Sequence, residues 1–203
     1  ETDDLQANAS QKLQRKGCDW ILANAVSPDG SDETVFGNAQ NKVSLMTGDG
    51  QEEWPMMPKT KLADRLVQRI IDTNIMGGFH ITREALPHMG KGGKIVMTSS
   101  IWGQTAVPEM SAYCASKHAN IGFMRSLAQE LGPKGINVNA VCPGWVRTDA
   151  AMKSLGHMAR MSGRGEDKLL AEITAAQALP GLMEPNDVIG AYPVSYTHLR
   201  AHE

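Results

Sequence analysis

Residues 94–100 read KIVMTSS, residues 111–131 read SAYCASKHANIGFMRSLAQEL, and residues 136–144 read INVNAVCPG. The first and third runs are short and apolar with β-branched residues, which is typical of buried strands. The middle run has apolar residues at helical spacing and ends at GPKG: Ile121, Met124, Leu127 and Leu131. A strand, a helix and a second strand in this order predict a parallel sheet flanked by helices, so the expected fold class is α/β.

The N-terminal part of the chain predicts a helix, a strand and a hairpin. Residues 3–16 carry acids at the start and bases at the end, as the helix dipole favours. The apolar run CDWILANAV at residues 18–26 predicts a strand. A hairpin is predicted next, with its strands at NKVSLMT and QEEW and its tip at GDG, residues 48–50.

Three further helical segments follow from the spacing of apolar residues. One begins after PMMP and carries its apolar positions between Leu62 and Ile71, and a second covers residues 73–89 with a weak point at a pair of glycines. The third, residues 150–179, is rich in Met and is interrupted by SGRG. This segment could be a mobile lid over a substrate, although Met at helical spacing is more often core packing.

Composition excludes several classes of function. The 203 residues carry 20 basic and 22 acidic side chains, mixed along the chain, so nothing predicts binding to nucleic acid or to an anionic membrane. No apolar run approaches the roughly 18 residues that a spanning helix needs. The three cysteines show no metal-binding spacing, so no metal site is expected. We therefore expect a soluble, cytoplasmic protein.

The spacing of Ser100, Tyr113 and Lys117 suits proton chemistry. Tyr113 and Lys117 are four residues apart on a predicted helix, so both project from one face. A nearby ammonium lowers the pKa of a phenol, which would make Tyr113 a usable acid or base. Ser100 would hydrogen-bond a substrate oxygen whose charge changes in the reaction. The alternative is that Tyr and Lys at this spacing simply lie on a solvated helix face.

Residues 72–191 resemble the classical short-chain dehydrogenase/reductases. Several motifs in order carry the resemblance: IDTNIMGGF, GKIVMTSSIWG, SAYCASK, INVNAVCPGWVRTD and MEPNDV. The resemblance implies a Rossmann-like sheet, incomplete in this chain, and an NAD(P)-dependent oxidoreductase that interconverts an alcohol and a carbonyl. It also implies a small-molecule carbonyl or alcohol substrate and a possible homo-oligomer built partly on the Tyr113 helix.

The same resemblance assigns roles to individual residues. Tyr113 is the acid/base, Ser100 polarises the carbonyl, and Lys117 lowers the tyrosine pKa and binds the nicotinamide ribose. Asn74 matches the asparagine that holds a water in the proton relay to Lys117. Residues matching the loop that contacts the nicotinamide end are Pro143, Gly144, Val146 and Thr148.

One feature of that family is missing from this sequence. A glycine-rich turn between the first strand and helix lets the backbone approach the pyrophosphate. Here GKGGK at residues 90–94 precedes a strand instead of following one, and GDG occupies the hairpin tip. The cofactor is therefore expected to be NAD or NADP, with no residue that chooses between them.

Residues 1–71 resemble a different protein, the C-terminal end of phosphopantothenate–cysteine ligase, a coenzyme A biosynthesis enzyme that uses CTP. Lys12 and Lys16 match lysines that bind the nucleotide there, and they are four residues apart on a predicted helix. A solvated basic helix end is the alternative. Ala25 stands where that family usually has Asp.

These two resemblances lead to the hypothesis of a chimaera. A ligase-like segment at residues 1–71 would join a reductase core at residues 72–191, and residues 192–203 read like an artefactual tail outside the fold. The reductase activity is the leading function. A CTP-binding ligase fragment and a non-catalytic chimaeric product are the alternatives.

Overall fold

The structure is a computed structural model that describes residues 5–16, 20–24, 39–47, 50–175, 177 and 181–197. The chain divides into two compact units, residues 1–67 and 68–203. The division falls between Val67 and Gln68, inside a helix, whereas the motif boundary lies at the end of that helix after Ile71.

The first unit contains an antiparallel sheet of three strands. The helix α1 (Leu5–Lys16) precedes β1 (Trp20–Asn24), β2 (Gln40–Thr47) and β3 (Gly50–Pro58), which pair in the order β1-β2-β3. Thr47 lies opposite Gly50 in the register, as the predicted hairpin requires. β1 pairs with β2 in the same way, with Trp20 opposite Thr47, so the sheet of this unit is antiparallel throughout.

Both faces of the central strand β2 are covered, so the successive residues Leu45 and Met46, which point to opposite faces, are both buried. Met46 packs with Ala9 of α1 on one face. Leu45 packs with Trp54 and with Leu62 of α2 (Lys59–Ile71) on the other. Of the apolar stripe predicted for α2, Leu62 and Leu66 pack against this sheet, whereas Val67 is exposed.

The second unit is built on the predicted strand, helix and strand. β4 (Lys94–Thr98) and β5 (Asn137–Val141) pair in parallel, with Lys94 opposite Asn137, and α4 (Ser111–Leu131) connects them. Ile121, Leu127 and Leu131 of α4 are buried. This confirms the α/β class and the parallel sheet, which has two strands among the residues that the structure describes.

Helices surround this parallel pair. The helix predicted over residues 73–89 is present as α3 (Gly77–Ala85). A π-helical turn over residues 72–76 precedes it. Beyond β5 the chain forms α5 (Asp149–Ser162), α6 (Glu166–Ala175), α7 (Pro185–Ile189) and α8 (Ala191–Thr197). In the described segments, no helix combines the length and the apolar character that crossing a bilayer demands.

The Met-rich segment forms the paired helices α5 and α6. The SGRG interruption falls between them, where Gly163 has a φ of 67°, a left-handed conformation that glycine adopts at little cost. Met152 and Met158 pack against a cluster that includes Trp145 and Leu169. These two methionines therefore serve as core packing.

The last described helix involves part of the tail that the sequence analysis places outside the fold. Tyr192 Oη lies 2.9 Å from Thr98 Oγ1 at the end of β4, and Asn139 Nδ2 of β5 donates to Ser195 O at 3.0 Å. Ser195 is buried. Residues 192–197 therefore belong to α8 in the structure, while the artefactual origin of the tail stays a prediction.

Gly103 lies where the turn after β4 meets α4, and we expect Gly103→Ala to destabilise the chain by about 1–3 kcal/mol through overpacking. An added Cβ would overlap Ser99 Oγ and come within 2.8 Å of Lys117 O. Urea unfolding followed by circular dichroism measures the change. Gly122→Ala is the control, because a Cβ there meets nothing within 4 Å and Ala favours a helix by up to about 1 kcal/mol. Equal stability of the two variants would contradict this account of Gly103.

Candidate active site

Ser100 is held at the carboxyl end of β4 by backbone hydrogen bonds to the chain after β5. Ser99 N donates to Val141 O at 2.8 Å, and Ile101 N donates to Pro143 O at 2.9 Å. Ser100 itself is 8% exposed, and its Oγ accepts from Trp102 N at 3.2 Å as the cap of a short 3₁₀ turn over residues 101–103. The hydroxyl is fixed by the backbone and can still donate its proton to another group.

Tyr113 and Lys117 project from α4, four residues apart, as predicted. Lys117 Nζ lies 5.5 Å from the centre of the Tyr113 ring and donates to Thr98 O at 3.3 Å. Burial lowers the pKa of Lys117 below its ordinary value of 10.5. The geometry therefore places a partly desolvated cation beside the phenol.

Asn74 lies in the π-helical turn, one of the distortions that are frequent at functional sites. Its Nδ2 donates to Ser116 Oγ at 3.1 Å, and Ser116 Oγ donates to Tyr113 O at 2.7 Å. Ser116 is 1% exposed and precedes Lys117 in the chain. The side chain of Asn74 is thereby attached to the part of α4 that carries Tyr113 and Lys117.

The loop after β5 is tied to the segment before α7. Val146 and Met183 form an isolated parallel bridge, and Trp145 N donates to Gln177 Oε1 at 2.7 Å. A Cβ on Gly144 would overlap Gln177 Oε1, so a larger residue there would displace the Gln177 side chain from Trp145 N. Thr148 caps α5 by accepting from Ala151 N at 3.2 Å. These contacts fix the loop against the end of the sheet.

A cleft of about 430 Å³ opens where these elements meet. Five of the residues predicted from the sequence line it: Ser100, Tyr113, Gly144, Val146 and Thr148. Lys117 and Asn74 do not line the cleft; Lys117 contacts Thr98 O, and Asn74 contacts Ser116 of α4. Pro143 contributes its carbonyl to the turn after β4 instead.

The alternative nucleotide site is described only in part. Lys12 is exposed on α1, and Lys16 ends the same helix, four residues further on. The side chain of Lys16 and the predicted departure at Ala25 lie outside the described residues.

Several residues of the site were missed by the sequence analysis. Ser116 bridges Asn74 to α4, while Trp102 and Trp145 form walls of the cleft. Trp102 follows Ser100 by two residues and Trp145 follows the Pro-Gly break, so position next to a strand end was the available signal. Ser154 lies half-buried on α5 and lines the cleft, and no pattern in the sequence singles it out.

Curated proteins match between about half and two thirds of the chain. The oxidoreductase UcpA of Salmonella typhimurium is 42% identical over 122 residues, which is 58% of this chain and 45% of that protein. D-beta-hydroxybutyrate dehydrogenase of Rhizobium meliloti is 37% identical over 107 residues, covering 52% of this chain and 42% of that protein. The chain spans about half the length of the curated relatives it matches.

A solved structure has the same fold over about two thirds of the chain. A variant of the actinorhodin polyketide ketoreductase, crystallised with NADPH, superposes with a TM-score of 0.61 at 30% identity. The match covers 68% of this chain and 56% of that one. Its fold is the Rossmann-like arrangement that the sequence predicts.

Two family models match this one chain, as the two resemblances predict. The C-terminal domain of the DNA/pantothenate metabolism flavoproteins matches residues 1–73. The short chain dehydrogenase model matches residues 44–158, more than half of the chain, and so begins well before the predicted start at residue 72. On this match, and on the fold and motifs of its second unit, the chain belongs to the short chain dehydrogenase family.

Proposed function

We propose that this chain is an NAD(P)-dependent oxidoreductase that interconverts a carbonyl and an alcohol. The observation that carries the proposal is the placement of the Lys117 ammonium beside Tyr113, at a cleft that Ser100 also lines. A phenol needs an adjacent cation to act as an acid or base near neutral pH, and this arrangement supplies one. Family membership and the relatives named above support the same reaction class.

The proposed work of the three side chains follows from their chemistry. In the direction of reduction, Ser100 donates a hydrogen bond to the substrate oxygen, and Tyr113 gives its phenolic proton to that oxygen. The phenolate that remains is stabilised by Lys117, whose charge lies next to the ring. Alcohol oxidation uses the same groups in reverse, with the tyrosine accepting the proton.

Asn74 is proposed to support this proton transfer from behind α4. Its amide nitrogen is used by Ser116, which leaves the amide oxygen as the group that would accept from a water near Lys117. The hydrogen bonds of Ser116 join the Asn74 side chain to the backbone oxygen of Tyr113. Asn74 is therefore also proposed to position the turn of α4 that carries Tyr113.

The residues present fit the nicotinamide end of the cofactor. Lys117 makes one hydrogen bond to a backbone oxygen, at 3.3 Å, and an ammonium has three donors, so it retains capacity for ribose hydroxyls. Tyr113, Lys117, Pro143, Gly144, Val146 and Thr148 would hold that end. A bound nicotinamide exchanges hydride with the substrate carbon. The given sequence offers no glycine-rich turn for the pyrophosphate, so no residues are proposed there.

Tyr113→Phe tests the proposed acid. We expect the rate of NADPH- or NADH-dependent carbonyl reduction to fall at least about 100-fold, because the proton donor is removed, while circular dichroism stays unchanged. Tyr192→Phe makes the same chemical change outside the cleft and should keep turnover within a few-fold. If Tyr113→Phe turned over at the rate of the unmodified chain, Tyr113 would not be the acid. No turnover by the unmodified chain would favour the non-catalytic alternative.

Lys117→Met tests the desolvated cation through the pH dependence of stability. Since burial lowers the Lys117 pKa in the folded state, the unfolded state binds more protons between that lowered pKa and 10.5. The free energy of unfolding of the unmodified chain should therefore gain an increment as pH rises through this window, and Lys117→Met should lack it. Urea unfolding at a series of pH values measures this.

The exposed lysine Lys168 on α6 provides the matched control for that experiment. Lys168→Met should show the same pH dependence as the unmodified chain. Identical pH profiles for Lys117→Met and the unmodified chain would mean that Lys117 is not desolvated in the folded protein.

A second candidate function is CTP binding by the first unit, favoured by the family match over residues 1–73. We expect millimolar CTP to raise the thermal midpoint of the full chain, since a ligand that binds only the folded state stabilises it. The double variant Lys12→Ala and Lys16→Ala should abolish the rise. A midpoint that CTP leaves unchanged in the unmodified chain would reject this function without affecting the reductase proposal.

A further inference from the structure

The walls of the cleft are mostly apolar. Ile101 and Trp102 come from the turn after β4, Met110 precedes α4, and Trp145 comes from the loop after β5. Trp145 is 8% exposed and packs in the cluster formed with α5 and α6. Aromatic and aliphatic side chains of this kind bind ligand surface by removing it from water.

The wall contributed by α5 is made of small side chains. Ala150, Ala151 and Ser154 line the cleft, and their spacing places them on one face of the helix. Their size leaves the space that larger residues would fill. Ser154 adds a half-buried hydroxyl, an uncharged group that can donate or accept one hydrogen bond.

Charged side chains are directed elsewhere. Among the described residues that line the cleft, none is charged. Arg147 lies between two lining residues in the sequence, but its Nε pairs with Glu184 Oε1 at 2.7 Å on the exposed side. Lys117 lies beside the Tyr113 ring with its ammonium on Thr98 O and does not line the cleft. A charge on the body of a substrate would therefore lose water without gaining a counter-charge.

From this lining we infer that the cleft selects carbonyl compounds with an uncharged, largely apolar body and discriminates against those that carry a carboxylate or a phosphate. This inference rests on the proposed function and names its substrate class. Trp102 and Trp145 are the specificity-determining residues for the apolar body. The small face of α5, with Ser154, determines how large that body can be and allows it one uncharged polar group.

The test compares methyl 3-oxohexanoate with the free 3-oxohexanoate anion at pH 7, which share the reacting ketone and the alkyl chain. Binding to the full chain is followed by tryptophan fluorescence, since two tryptophans line the cleft, and reduction by the oxidation of NADPH or NADH. We expect the ester to bind at least 10-fold more tightly than the anion. Equal or tighter binding of the anion, or no binding of either compound, would overturn the inference.

A charge placed at the rim gives a second and independent readout. Ala150 is exposed at the start of α5, so a long side chain can be accommodated there. Ala150→Arg should improve binding of the anion at least 5-fold relative to Ala150→Gln, which has a long uncharged side chain. If both variants bound the anion with the same affinity, the lack of a positive charge in the cleft would not be the reason that anions bind weakly. That result would overturn the inference.

The two readouts separate this inference from the proposed function. If the ester binds preferentially but no cofactor is oxidised, the selectivity of the cleft stands and the proposed reaction fails. If the anion is bound and reduced as well as the ester, the reaction stands and the selectivity fails.

Discussion

The close approach of the turn after β4 to α4 controls the geometry of the candidate site. At this point Gly103 has no side chain, and Ser99 Oγ donates to Lys117 O at 2.9 Å. Since the contact involves the backbone of Lys117, it sets where α4 lies relative to the end of β4. Ser100 and Tyr113 reach the same cleft only because these two elements pack so closely.

A second constraint acts from the opposite side of α4. The π-helical turn at residues 72–76 directs Asn74 toward Ser116, whose hydroxyl is buried and bonded to Tyr113 O. The turn of α4 that carries Tyr113 and Lys117 is thus attached to two neighbouring elements. Such support from buried hydrogen bonds is what keeps reacting groups within the small tolerances that proton transfer needs.

The elements with strong periodicity were predictable, and contacts between distant residues were not. The runs at residues 94–100, 111–131 and 136–144 predict β4, α4 and β5 with their relative direction, and the pairing of Tyr113 with Lys117 follows from helical spacing alone. Ser116, Gln177 and Ser154 could not be identified, because their roles depend on partners far away in sequence. The helix α8 could not be anticipated either, because its seven residues are too few to show a periodic pattern of apolar side chains.

The parallel sheet of the second unit has a consequence at its edges. Within the described residues β4 and β5 pair only with each other, so each has one side whose backbone donors and acceptors meet no further strand. Such an edge accepts an added strand by main-chain hydrogen bonding, with little regard for side-chain identity. In the described part of the chain, the geometry of the candidate site rests on a sheet of two strands that is supported by the helices α4 and α8 instead of by neighbouring strands.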